Sequence, residues 1–171
     1  VGYFSLLVLS QLPRARVYAY EPMPQNFRLL RRHVDANPGV SFKAVMSAVA
    51  SSNEPLKLQF DSKDEFTTSA SIHASESETD VIEVRSTTLA DIFREENLDR
   101  IDLLKLDCEG SEYEILFNLP DELFNRISNI SLEAHQGRVP SENIDSLAVL
   151  LQAKGFKTLK KKTALLSAWR E

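Results

Sequence analysis

Ile101-Asp102-Leu103-Leu104-Lys105-Leu106-Asp107-Cys108-Glu109-Gly110-Ser111-Glu112 is an apolar run that passes directly into three acids and a glycine. The run Ile101–Leu106 suits a strand buried on both faces of a parallel sheet. The next segment, Glu109–Phe117, reads as a helix stopped by Pro120. Glu109 and Glu112 are three residues apart and would share one face of that helix. Acids near a helix N-terminus are favoured by the peptide dipoles, which accounts for one or two of them. Three acids with a glycine at the mouth of a central strand point to a ligand site, with a cation or an amino group as the natural partner.

Upstream, Gly2–Leu12 reads as a short helix with Phe4, Leu7, Val8 and Gln11 at helical spacing and Pro13 ending it. Val17–Tyr20 is a strand closed by Glu21-Pro22. Pro24–Ala36 is a helix with a proline tolerated in its first turn and an apolar face of Phe27, Leu30 and Val34. Asn37-Pro38-Gly39 stops it, and Val40–Val49 is a strand candidate. Pro55–Phe60 and Val81–Ser86 form a hairpin around Asp61–Asp80, a segment rich in Ser, Thr and acids that reads as a mobile binding loop or lid. Thr88–Glu96 is a helix capped by Thr87 or Thr88.

Downstream, Ile127–Ala134 is a strand, and Ser141 opens a helix to Lys154 with Gly155 as its stop. Phe156–Lys161 and Ala164–Trp169 form a terminal strand pair. Alternating helices and strands without a linker or repeat predict one α/β sandwich with a mostly parallel sheet.

The chain of 171 residues is 43% hydrophobic and 26% charged, ordinary for one globular domain. Its net charge of −5 argues against a dedicated nucleic-acid binder. Cys108 is the sole cysteine, so neither an internal disulfide nor a cysteine cluster for zinc is possible. No apolar run reaches the roughly 18 residues of a membrane span. The expectation is a cytoplasmic protein that engages no membrane. The apolar opening precedes Arg14 and Arg16 and lacks an initiator methionine, and reads as a fragment boundary.

In open α/β sheets ligands bind at the carboxyl ends of strands. Glu21 lies there, 19 residues beyond Gly2. An acid about 20 residues after a glycine turn is the expected partner of ribose hydroxyls. Gly2 would end that turn, where a side chain would block close approach. Along Ser131-Leu132-Glu133-Ala134-His135, Glu133 and His135 share a strand face, which lets one orient the other. His135 could be a general base. His33 and His73 read as solvated or loop residues, Cys108 as a packed thiol, and Lys160-Lys161-Lys162 as a charged turn.

Taken in order, Val1-Gly2-Tyr3-Phe4-Ser5, Val17–Pro22, Asn26–Leu30, Ala44–Val49, Ser86–Leu89 and Ile101–Glu114 resemble the FkbM-type methyltransferases. The most specific element is Asp-x-Glu-Gly-x-Glu at Asp107–Glu112. The resemblance implies a Rossmann-like class I methyltransferase sandwich, mostly parallel with an antiparallel last strand. Its first strand would be missing from this fragment, a single domain over 1–171 truncated at its N-terminus. It implies S-adenosylmethionine as cofactor and O-methylation of a small-molecule or saccharide acceptor. Gly2, Glu21, Ser47, Ala48 and Asp107 would bind the cofactor, with Ser47 and Ala48 at the adenine and Asp107 near the methionine part. Glu109, Glu133 and His135 would line the acceptor side, with His135 or Glu109 as base. A metal bridged by Asp107, Glu109 and His135 is conceivable, but none is assigned. The rival readings are a nicotinamide-dependent oxidoreductase or epimerase, and a non-catalytic binding module of the same fold.

Overall fold

The computed structural model describes residues 1–60, 80–135, 137–161 and 164–170. Its elements run α1 (Tyr3–Gln11), β1 (Arg16–Tyr20), α2 (Pro24–Asp35), β2 (Ser41–Val45), β3 (Ala48–Ala50), β4 (Leu56–Phe60), β5 (Asp80–Val84) and β6 (Ser86–Thr88). They continue α3 (Leu89–Glu95), β7 (Ile101–Leu106), α4 (Glu112–Phe117), α5 (Asp121–Phe124), β8 (Ile127–Glu133), α6 (Ile144–Ala153), β9 (Lys157–Lys161) and β10 (Leu165–Trp169). This is a mixed α/β fold. The chain gathers into two compact units, one of Val1–Ala48 with the described residues of 54–86, the other of Val49–Asn53 with Thr87–Glu171.

In the first unit β1 and β2 pair in parallel, with Val17 opposite Phe42 and Ala19 opposite Ala44. Leu9, Leu30 and Phe42 form its buried centre, with Leu6, Val17, Phe27 and Val34 packed around them. The expected face of α2 is thus the buried one. Helix α1 instead turns Leu6 and Leu9 inward and leaves Phe4 and Leu7 exposed. Gly2 caps α1 at φ 78°, a left-handed conformation that glycine adopts without a steric penalty. Strands β4 and β5 pair antiparallel as expected, Leu58 opposite Ile82. The expected loop Asp61–Asp80 lies, apart from Asp80, outside the described residues, and His73 with it. The single strand expected over Val40–Val49 is two strands, because Met46 and Ser47 leave the extended pairing between β2 and β3.

In the second unit the sheet order is β7-β8-β10-β9. Strands β7 and β8 are parallel, whereas β10 runs antiparallel to both β8 and β9. The antiparallel last strand matches expectation. Among the described residues the strands form four small sheets of mixed direction rather than one mostly parallel sheet, with β1–β2 and β7–β8 parallel. The chain returns from β9 directly into β10, and so short a connection forces the antiparallel direction.

One face of this sheet carries Leu104, Leu106, Ile130, Leu132, Leu166 and Ala168, all buried. Helix α6 packs against β9 and β10, and Leu147 and Leu151 on it have no exposed surface. Each such leucine contributes roughly 1.5–3 kcal/mol by burial. The opposite face includes Leu103, which is 43% exposed. Strand β7 is therefore covered on one face within this unit, not on both as its apolar run suggests. Helix α6 begins later than Ser141: the side chain of Asn143 accepts from the backbone N–H of Asp145 and Ser146, and the Ser146 hydroxyl lies 3.3 Å from the Asn143 N–H. This reciprocal capping fixes the start. Gly155, at φ 86°, ends the helix as expected.

Candidate active site

Because β7 and β8 are parallel neighbours with Leu106 opposite Leu132, the chain leaves both at the same edge of the sheet. This edge is where α/β folds gather ligand groups. Beyond β7 the backbone makes a tight turn, Glu109 at φ 50° and Gly110 at φ 101°. A left-handed glutamate is uncommon and costs about 1–2 kcal/mol, which its surroundings must offset. Glu112 supplies the offset. One of its oxygens accepts from the Cys108 N–H at 2.7 Å and the other from the Gly110 N–H at 3.0 Å.

Helix α4 consequently begins at Glu112, not at Glu109. The two glutamates do not share a helix face. Glu112 has no exposed surface, while the Glu109 side chain is 32% exposed.

His135 follows the end of β8. Its Nδ1 lies 3.0 Å from Oε1 of Glu112. A carboxylate only accepts, so Nδ1 carries the hydrogen and, in neutral imidazole, Nε2 presents its lone pair. That Nε2 lies 3.6 Å from Oε2 of Glu109 and 3.9 Å from Oδ1 of Asp107. The Tyr113 hydroxyl donates to the His135 carbonyl at 2.8 Å and pins the strand end. Lys105 Nζ lies 3.2 Å from the other oxygen of Asp107.

Burial pushes the His135 pKa down, but the hydrogen bond and charge of Glu112, then the charges of Glu109 and Asp107, push it up further, and it rises above its ordinary 6.5. Glu109 is also raised, first by burial, with His135 opposing and Asp107, Glu112 and Glu133 adding to the rise. Cys108 is part-buried as a residue. Burial, with the Glu112 charge next, pushes its thiol up to about 12 despite Lys105 nearby. It is a packed thiol, as the sequence suggests.

The sequence-predicted convergence of His135 with the acidic segment is therefore present. The orienting acid is different: Glu112, not the same-face neighbour Glu133, holds the imidazole. In the sequence Glu112 is one of three acids that follow the strand. The overlooked signal is its place just after a glycine turn, whose two amide N–H groups need an internal acceptor.

The remaining candidates belong to the first unit. Glu21 follows β1 and accepts from the Met23 N–H at 2.9 Å. Burial raises its pKa, with that bond and one from Asn26 opposing. Ser47 is buried, its hydroxyl within reach of the Ala48 and Arg85 carbonyls at 3.0 and 3.2 Å. Ala48 is buried beside it. A Cβ on Gly2 would lie 2.8 Å from Nδ1 of His33 and 3.0 Å from Leu30. The glycine is thus required by its own unit's packing. His33, expected to be solvated, is half-buried, with Nδ1 enclosed and lacking a hydrogen-bond partner among the described residues.

Such a group of carboxylates and one imidazole can withdraw a proton or hold a cation. The Methyltransferase FkbM domain model matches residues 2–158. The chain is 28% identical to Methyltransferase sdnD of Sordaria araneosa, over 91% of this chain and 70% of that protein. It is 25% identical to Methyltransferase 1 of Beauveria bassiana, over 91% and 68%. It is 27% identical to AMB antimetabolite synthetase AmbE of Pseudomonas aeruginosa, over 97% of this chain but 10% of that one. The crystal structure of Methyltransferase FkbM from Methylobacillus flagellatus KT superposes with a TM-score of 0.61 at 14% identity, covering 98% of this chain and 40% of that chain. Its likeness is one of fold. With the domain model matched along nearly its whole length, the chain belongs to the FkbM methyltransferase family.

Proposed function

We propose that the protein is an S-adenosylmethionine-dependent O-methyltransferase acting on a hydroxyl of a small natural product or saccharide. In this reading 1–171 is one domain with a Rossmann-like class I sandwich, and its partners are the cofactor and a small acceptor rather than nucleic acid or membrane. Family membership favours methyl transfer over the nicotinamide reading. The name of the relative AmbE, an antimetabolite synthetase, favours a natural-product acceptor. The observation that carries the chemistry is the orientation of His135, whose Nε2 faces Asp107 and Glu109 at the strand ends.

Methyl transfer forms a C–O bond as the sulfonium C–S bond breaks. The sulfonium becomes a neutral thioether, and the hydroxyl must give up its proton. Alignment of the acceptor oxygen supplies much of the rate. Glu109, Glu133 and His135 line the acceptor side, and His135 or Glu109 withdraws the proton. Glu21 takes the ribose hydroxyls of the cofactor. Gly2 permits close backbone approach, Ser47 and Ala48 flank the adenine, and Asp107 lies toward the methionine part.

The test is calorimetric titration with S-adenosylmethionine, followed by incubation with a panel of hydroxylated small molecules. Mass spectrometry should find a methylated acceptor and S-adenosylhomocysteine. Cofactor binding without turnover across the panel would favour the binding module, and failure to bind S-adenosylmethionine would sink the reading.

A further inference from the structure

We propose that Asp107, Glu109 and His135 bind a first-row divalent cation, for which Mn²⁺ is the suitable probe. The three residues each offer one ligand atom, and these atoms lie within 4.8 Å of one another. The sequence by itself assigns no metal here; the local geometry does.

The distances from Nε2, 3.6 Å to Glu109 and 3.9 Å to Asp107, exceed the roughly 2.7–2.9 Å of a charge-assisted hydrogen bond. They are closer to the edge between two ligands of one ion: bonds of about 2.1 Å meeting at about 90–120° put ligand atoms roughly 3.0–3.6 Å apart. The atoms thus surround a gap instead of touching. A movement by Asp107, whose side chain is 51% exposed, would bring its 3.9 Å edge to His135 into that range.

The imidazole is also oriented for ligation. Nδ1 is engaged by Glu112, a carboxylate with no solvent exposure that is itself held by two backbone N–H groups. Carboxylate–histidine–metal arrangements fix the ring in this way and leave the Nε2 lone pair for the ion. In the neutral imidazole that lone pair faces the carboxylate oxygens of Glu109 and Asp107. Lys105 approaches the other oxygen of Asp107, so Oδ1 remains turned to the gap. One nitrogen and two carboxylate oxygens suit Mn²⁺-like ions better than Ca²⁺, which takes oxygen ligands. Three protein ligands leave positions for water or an acceptor hydroxyl.

The inference rests on the methyltransferase reading only for what fills those open positions. There a bound cation would orient the acceptor oxygen and raise its acidity, and His135 would serve as a ligand in place of its proton-accepting role in the cation-free site.

The experiment is Mn²⁺ titration of the chelator-treated full chain, following loss of the free-ion paramagnetic resonance signal without cofactor or acceptor. One bound ion per chain is expected. Asp107→Asn and Glu109→Gln, isosteric changes at part-exposed positions, should each weaken binding at least tenfold while the circular dichroism spectrum stays unchanged. Glu112→Gln should weaken it about 10–100-fold, as loss of an orienting partner does. No depletion of free Mn²⁺ by the wild-type chain, or equal binding by the Asp107 and Glu109 variants, would overturn the proposal. Mn²⁺ binding by a chain that does not bind S-adenosylmethionine would overturn the functional reading and leave the cation site standing. Cofactor binding without Mn²⁺ binding would do the reverse.

Discussion

Nδ1 of His135 stands 3.0 Å from Oε1 of Glu112, a carboxylate wholly withdrawn from solvent. The same carboxylate satisfies two amides of the turn after β7, so one side chain shapes the turn and aims the imidazole. Glu112→Ala removes both functions at once and strands the Cys108 and Gly110 N–H groups. The expected loss is about 3–5 kcal/mol, the range for breaking a buried charged network. Urea unfolding would measure it, and a loss below about 1 kcal/mol would contradict the assigned role.

The His135 pKa should be above 6.5 in the folded, chelator-treated protein, and proton resonances of the ring can follow it. The sign follows from the balance of causes: burial lowers the value, and the bond and charge of Glu112 with the charges of Glu109 and Asp107 more than reverse it. A raised folded pKa means stabilisation fully present below the unfolded value and lost as pH rises through the folded one. In Glu112→Gln the resonance should titrate at lower pH than in the wild type.

Thr88 caps α3, its hydroxyl oxygen accepting from the Asp91 N–H at 3.1 Å. The hydroxyl in turn donates to the Asp91 carboxylate at 2.7 Å, which Asn53 also reaches at 2.7 Å. Thr88→Ala should cost about 1 kcal/mol. Thermal unfolding of the two proteins side by side would show it, and equal midpoints would leave the cap without energetic weight.

Glu21→Ala should weaken S-adenosylmethionine binding by about 1.5–3 kcal/mol, the cost of losing a charged hydrogen-bonding group. Since Glu21 also accepts from the Met23 N–H, circular dichroism must accompany the calorimetry. A folded variant with wild-type affinity would remove Glu21 from the cofactor assignment.

Cys108, its thiol pushed up to about 12 by burial, should resist alkylation. Iodoacetamide at pH 8 should modify it far more slowly than a denatured control. Equal rates would show that the thiol is accessible and ionised.

Most elements were legible because each carries local punctuation. Pro13, Pro24, Asn37-Pro38-Gly39 and Gly155 mark helix ends whose positions depend on neighbouring backbone alone. The convergence of His135 with Asp107 and Glu109 was legible because ligand groups gather at the ends of parallel strands, and β7 and β8 are neighbours. The start of α4 was not. It depends on Glu109 tolerating a positive φ, and that depends on Glu112 bonding back to Cys108 and Gly110. Such a local bond from side chain back to the turn has no helical or strand periodicity to betray it. The exposure of Leu103 escaped for a related reason: an apolar run shows what a strand can bury, not how many faces are covered.

Strand β9 lies at an end of the β7-β8-β10-β9 sheet and reads Lys157-Thr158-Leu159-Lys160-Lys161. The side of a terminal strand away from its neighbour offers backbone donors and acceptors to any extended chain that meets it. Lysines along it resist that encounter twice over, by mutual repulsion between two copies and by the cost of stripping water from an ammonium group. The lysines that read in the sequence as a charged turn thus oppose edge-to-edge pairing, keeping the sheet of one molecule from growing into the next.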